Sequence, residues 1–272
     1  GYKCISASVS DICAMNAIAN QVLVSIALSS KYSLEAVEEL YRGIKASCDK
    51  YNLELIGGDT SSSVTGLMIS ITVIGYADEK KIVKRSGAKP GDLLVASGDL
   101  GGAYMGLQML EREKQVFLDQ KDMQPDLEGK EYIVGRQLRP EARTDIIELL
   151  DEIGIIPTAM IDISDGLSSE IFHLCDHSKI GMRVYEDKLP IDQQTYDTAL
   201  EFNLAPTTCA MNGGEDYELL FTLPQADYDK VKNSIELTVI GYCTEPHLGL
   251  EMITKSGNVV SLEAQGWENF KG

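Results

Sequence analysis

The sequence predicts an α/β or α+β layered fold. Two observations carry this. Short β-compatible apolar runs alternate with segments of helical apolar spacing along the whole chain. With 272 residues, 44% of them hydrophobic, there is ample material for a buried core. No repeat at solenoid period and no low-complexity tract disturbs the pattern.

The elements follow in order. Residues 4–19 read as a buried helix, with Ile5, Val9, Ile12 and Met15 on one face. Residues 21–28 are apolar and β-compatible. Ser33 is a good N-cap for a helix that carries Leu34, Val37, Leu40, Ile44 and Cys48 at helical spacing. Residues 53–56 form a short strand ending in Gly57-Gly58-Asp59, and 67–75 a buried one. A lysine-rich linker at 78–91, closed by Pro90-Gly91, divides the chain into units 1–84 and 85–272. Strand 92–96 then runs into Ser97-Gly98-Asp99-Leu100-Gly101-Gly102 and a helix through Leu110. Residues 115–130 are polar and read as irregular. Pro140 suits the first turn of a helix through Leu150. Strands are predicted at 158–163, 181–185, 217–223, 237–242 and 250–253, with helices at 166–176, 192–202 and 227–234.

Composition excludes several functions. The net charge of −18 leaves no basic footprint for a nucleic-acid backbone. No apolar run is long enough to span a bilayer, and no signal-peptide pattern opens the chain. The six scattered cysteines, without a CxxC pair, read as buried reduced thiols of a cytoplasmic protein. The chain opens on Gly-Tyr-Lys and enters a helix at once, as a sequence that begins partway through a domain would.

The chemistry sits in glycine-flanked acidic motifs. Gly57-Gly58-Asp59-Thr60 suits either a β-turn or a site where a backbone approaches a ligand and Asp59 meets a metal. Asp162-Ile163-Ser164-Asp165-Gly166 lies where a strand gives way to a helix. A helix cap needs one polar residue and this motif supplies three, which favours function. Gly213-Gly214-Glu215-Asp216-Tyr217-Glu218 places three more acids before a strand, either as a solvated turn or as part of a site. Asp11 is an isolated acid near the edge of an apolar helix face. Arg85 is a linker cation that could pair with a phosphate or remain solvated. Ser97–Gly102 could cradle phosphate or merely turn the chain, and matches neither the P-loop nor GxGxxG. Uncompensated carboxylates with hard oxygen donors point to Mg²⁺ rather than zinc, and hence to an enzyme that handles a nucleotide.

Taken in order, Gly57-Gly58-Asp59-Thr60, Arg85-Ser86-Gly87-Ala88-Lys89-Pro90-Gly91-Asp92, Asp162–Leu167 and Gly213–Leu219 resemble thiamine-monophosphate kinase. So do Ser10-Asp11-Ile12 with Ala14-Met15, and Gly266-Trp267-Glu268-Asn269-Phe270 near the end. The wider superfamily includes aminoimidazole ribonucleotide synthetase and selenophosphate synthetase. The resemblance implies a two-domain fold, with an N-terminal dimer-barrel domain and a C-terminal α/β domain. The N-terminal domain is incomplete here, because the family's Gly-Asp-Asp and Ser-Thr-Asp…His segments have no counterpart. It also implies ATP-dependent phosphorylation of thiamine monophosphate to thiamine diphosphate by a homodimer, with several Mg²⁺ ions and ATP as co-substrate. Asp11, Asp59, Asp162 and Asp165 would bind metal. Gly58, Asp59, Arg85 and Ser164 would contact ATP. Glu215 and Trp267 would contact the thiamine phosphate. No protein nucleophile or general base is implied, since a phosphate acceptor is already anionic. The alternatives are another ATP-dependent superfamily member, of the selenophosphate synthetase kind, and a nucleotide-binding protein without turnover.

Overall fold

A computed structural model describes residues 1–119 and 124–262. The chain forms two sheets that share one hydrophobic core. The first sheet has strand order β2-β1-β3, where β1 is Ile18–Leu28, β2 is Glu54–Ser62 and β3 is Leu67–Tyr76. β1 runs parallel to β2 and antiparallel to β3. Helices α1 (Tyr2–Cys13) and α2 (Leu34–Lys50) cover one face of it. α1 is helical because Ile5, Val9 and Cys13 recur every four residues and are all buried. Each such side chain is worth about 1.5–3 kcal/mol on burial. Ser33 caps α2 as expected, its hydroxyl accepting from the Ala36 amide at 3.2 Å.

The second sheet has seven strands in the order β10-β9-β6-β8-β4-β7-β5. These are β4 (Leu93–Ser97), β5 (Ala159–Asp162), β6 (Gly181–Tyr185), β7 (Leu219–Leu223), β8 (Leu237–Thr244), β9 (Leu250–Ile253) and β10 (Val259–Ser261). Pairing is antiparallel except between β6 and β9, so the fold is mixed, on the α+β side of the expectation. The helices are α3 (Gly102–Asp119), α4 (Glu131–Leu138), α5 (Thr144–Glu152), α6 (Leu167–Ser178), α7 (Gln193–Glu201), α8 (Pro206–Asn212) and α9 (Tyr228–Val231). The largest core joins Val22, Val24 and Ile26 of β1 to Val95 of β4, Phe221 of β7 and Leu150 of α5. A second core lies on the other side of the seven-stranded sheet, under α6.

Several boundaries differ from expectation, each for a local reason. α1 stops at Cys13 rather than running to 19, because Asn16 adopts a left-handed φ of 55°. Its side chain donates to the Lys81 carbonyl at 2.8 Å, which fixes the turn. β2 does not end before Gly57. It continues through Ser62, held by parallel pairing in which Gly58 lies opposite Val24 and Asp59 opposite Ser25. α3 continues past Leu110, through 111–119, into a stretch expected to be irregular. α4, α8 and β10 were not foreseen. Pro140 opens no helix, since 140–143 has no regular secondary structure and α5 begins at Thr144. The six cysteines are free, five buried and Cys4 partly exposed. Among the described residues no helix is long and apolar enough to cross a membrane.

Candidate active site

Two loops, one after β5 and one before β7, meet beside helix α1. Asp162 ends β5, 4% exposed, and accepts a hydrogen bond from Ser10 Oγ of α1 at 2.8 Å. The backbone after it zips to the segment before β7. Ile163 N donates to Glu218 O at 2.7 Å, Tyr217 N to Ile163 O at 2.9 Å, and Glu215 N to Ser164 O at 2.7 Å. The Asp162–Gly166 and Gly213–Glu218 motifs are therefore one structure. Glycine is required at two points. Gly166 has φ 106° and a Cβ there would lie 3.0 Å from the Asn212 backbone. Gly214 has φ 70° and its Cβ would approach Ser164 O to 2.8 Å.

The acids are under-compensated. Burial, then repulsion from Asp11, pushes the Asp162 carboxyl up to about 6, with the Ser10 hydrogen bond and Arg85 pulling the other way. Surrounding protein also holds Asp11 above the usual carboxylate range, and Arg85 opposes that shift. Arg85 is exposed at the edge of the group, beyond a loop that Ser178 Oγ anchors through the amides of Gly87 and Ala88. Asp165 is exposed, and its carboxylate does not cap α6, whose N-cap is Gly166. The capping explanation of the motif thus fails.

Glu170, in the first turn of α6, was missed from sequence. It reaches back to accept from Asp165 N at 3.1 Å and from Ser164 Oγ at 3.4 Å. It is 2% exposed, and burial, with Asp162 and Asp165 adding to it, pushes its carboxyl up to about 7. Its only sequence signal was an acid in the first helical turn, which is ordinary composition.

The third acidic motif divides by role. Glu215 is partly exposed and faces Lys3 Nζ at 2.8 Å and Gln137 Nε2 at 3.1 Å. Asp216 is fully buried and accepts from the amides of Gly101 and Ala103, at 2.9 and 3.4 Å. It fills the N-terminus of α3, so the Ser97–Gly102 turn is occupied by a carboxylate of the protein itself. Glu218, 1% exposed, joins Arg136 Nη1 at 2.8 Å, Arg143 Nη1 at 2.7 Å and Ser97 Oγ. Neither Asp216 nor Glu218 belongs to a solvated turn.

Not every expected residue joins the group. Asp59 stands on exposed β2, inside the strand rather than in a turn, and accepts from Ser61 Oγ at 2.9 Å. Gly58 has a packing reason, since a Cβ there would fall 1.8 Å from Val24 O. Trp267 lies outside the described residues. Among the described residues no three His, Cys, Asp or Glu side chains form a ready metal cage. The donor chemistry still suits a hard divalent cation. It is all oxygen, mutually repelling, and opposed chiefly by one exposed arginine. Mg²⁺ typically takes one or two carboxylates and completes its shell with water and phosphate.

Comparison with known proteins places the chain in a family. Residues 1–77 match the model of the AIR synthase related protein N-terminal domain, and 89–252 that of the C-terminal domain. The chain is 30% identical to the thiamine-monophosphate kinase of Bacillus subtilis over 276 residues, covering 100% of this chain and 81% of the relative. It is 32% identical to that of Aquifex aeolicus over 271 residues, covering 99% and 80%. A solved structure described as "AaThiL complexed with AMPPCP and TMP" superposes with a TM-score of 0.82 at 30% identity, covering 99% of this chain and 79% of that one.

Proposed function

This chain belongs to the thiamine-monophosphate kinase family, and we propose from that membership that it transfers the terminal phosphoryl group of ATP to thiamine monophosphate, giving thiamine diphosphate. One structural observation carries the proposal. Asp162, Ser164, Asp165 and Glu215 are fused into a single site by backbone hydrogen bonds, and Ser10 draws Asp11 into it. The solved relative named with AMPPCP and TMP supports the same pair of ligands.

The reaction asks little covalent chemistry of the protein. The acceptor phosphate is already anionic, so no general base is needed and none is assigned. The protein must instead hold two anions together. We assign Asp11, Asp162 and Asp165 to the Mg²⁺ that accompanies ATP, and Asp59, which stands apart on β2, to a further Mg²⁺ ion. A bound divalent cation would supply charge neutralisation on the transferring phosphoryl group. Arg85 and Ser164, with Gly58 and Asp59, are assigned to ATP. Glu215 and Trp267 are assigned to the thiamine moiety, Glu215 facing its positive ring. The division of roles falls near residue 84, with the first unit contributing α1 and the second the two fused loops.

The outer face of the first sheet supports a homodimer. Met68 and Tyr76 of β3 are 69% and 62% exposed, and Ile18 of β1 is 70% exposed. Exposed apolar side chains at both ends of this face, with Ser70 and Thr72 between them, suit an association surface. Met68→Lys combined with Tyr76→Glu should convert a dimer to a monomer by light scattering, and a wild-type monomer at micromolar concentration would refute the dimer. The activity itself is tested by incubating the protein with ATP, Mg²⁺ and thiamine monophosphate. Formation of thiamine diphosphate in step with ADP supports the assignment. ATP binding without product would favour a non-catalytic nucleotide-binding protein, and transfer to selenide the selenophosphate alternative.

A further inference from the structure

We propose, resting on the substrate assigned above, that Lys3 is a substrate-binding residue working as a pair with Glu215, Glu215 taking the cationic ring and Lys3 the phosphate of the same molecule. Lys3 lies in the first turn of α1 and Glu215 in the loop before β7, 212 residues apart, yet Lys3 Nζ is 2.8 Å from Glu215 Oε2. Lys3 Nζ also donates to Gln137 O at 3.1 Å, and Gln137 Nε2 donates to the same Glu215 oxygen at 3.1 Å. The α4 residue Gln137 thus fixes both members of the pair.

Three features distinguish this pair from a structural salt bridge. First, its side chains are 26% and 42% exposed, a setting in which an ion pair contributes little to stability and opens readily. The neighbouring Arg136–Glu218 and Arg143–Glu218 pairs are nearly sealed and serve the fold. Second, Gln137 Oε1 is buried and has no hydrogen-bond partner among the described residues, so an acceptor stands ready beside the pair for a donor on a ligand. Third, the loop holds Glu215 at a left-handed φ of 59°, between Gly214 and Tyr217, which also have positive φ. Strained backbone of this kind clusters where a side chain must be aimed.

The pair also borders the acidic group. Glu215 N donates to Ser164 O at 2.7 Å, and Tyr217 N to Ile163 O at 2.9 Å, so the loop that carries Glu215 is bonded directly to the segment between Asp162 and Asp165. Thiamine monophosphate carries a positive thiazolium ring and a negative phosphate. Inserted between Lys3 and Glu215, it exchanges one part-exposed ion pair for two charge-assisted contacts.

Calorimetric titration of the full chain with thiamine monophosphate and with thiamine, which lacks the phosphate, separates the possibilities. Lys3→Met should weaken thiamine monophosphate about tenfold or more while leaving thiamine within about threefold, since the ring's partner Glu215 remains. Lys3→Arg should recover most of the loss, and binding of the non-hydrolysable ATP analogue should be unchanged in both. Lys3→Gln provides a second neutral variant should Lys3→Met melt early. Equal losses for thiamine and its monophosphate would show that Lys3 only holds Glu215 in place, and would overturn the proposal while leaving the substrate assignment intact. No loss for either ligand would overturn it too. Failure of the unmodified protein to bind thiamine monophosphate would overturn the substrate assignment and this proposal together.

Discussion

Individual carboxylates in this site are kept at a thermodynamic disadvantage that a ligand would remove. Asp162 is the clearest. It is nearly sealed from water, it faces Asp11, and its acid form persists to about pH 6. Asp162→Asn removes the repulsion and keeps a hydrogen-bonding partner for Ser10. In EDTA at pH 8 the variant should be more stable than the parent by ~1–3 kcal/mol, the scale set by a pKa displaced by about two units. Its kcat/KM should fall at least ~100-fold. Urea denaturation alongside a steady-state assay checks both, and a variant that loses stability with activity would return Asp162 to a structural role. Trp267, beyond the described residues, carries a separate expectation. Trp267→Ala should raise KM for thiamine monophosphate about tenfold with KM for ATP nearly unchanged. Equal rises with a lowered Tm would mean the residue only pins the tail.

At the scale of elements, the segment before β7 is the hinge of the architecture. Its three acids point to different tasks because the backbone turns left-handed at Glu215 and again at Tyr217. Glu215 reaches Lys3, Asp216 fills the N-terminus of α3, and Glu218 clamps α4 to the segment before α5 through two arginines. Glu218→Ala would leave Arg136 and Arg143 without their buried partner. It should destabilise the protein by about 3–5 kcal/mol, measured by urea unfolding. A change below about 1 kcal/mol, the scale of a solvated ion pair, would show that water replaces the clamp. Arg143 also holds Asp145 and Glu236, so the loss should appear first in protection of α5 amides from hydrogen exchange.

For the whole molecule the acidic site makes stability depend on pH in a defined sense. Asp162 and Glu170 stand at about 6 and about 7, above their ordinary 3.8 and 4.5. The folded state therefore holds protons that the unfolded chain releases. Their stabilisation is complete below the ordinary carboxylate range and is lost as pH rises through about 6 and then 7. Metal-free protein should lose Tm across that window, and Mg²⁺ should restore progressively more of it at higher pH, because only the ionised carboxylates bind the cation. Thermal scans from pH 5 to about 8, with EDTA or with Mg²⁺, test this. Parallel curves with and without Mg²⁺ would remove the cation from the site. The net charge of −18 works in the same direction, since self-repulsion grows as further acids ionise.

Sequence by itself determined the alternation of helices and strands, the acidic chemistry and the family, since apolar spacing and short contiguous motifs are local properties. The Asp162–Leu167 and Gly213–Leu219 motifs were legible because glycine and carboxylate stand side by side in the chain. Tertiary structure decided which acids act together. β2 runs through Gly57-Gly58-Asp59 only because β1 lies beside it to supply hydrogen bonds, so a turn-like composition became a strand. Glu170 and Gln137 carry no local signature, since both are ordinary helix residues until folding brings them to Asp165 and Glu215. Asp216 and Glu218 looked like surface acids because their partners, the amides before α3 and two arginines far along the chain, are set by packing. Electrostatic roles depend on distance and on exclusion of water, and both come into being only when the segments meet.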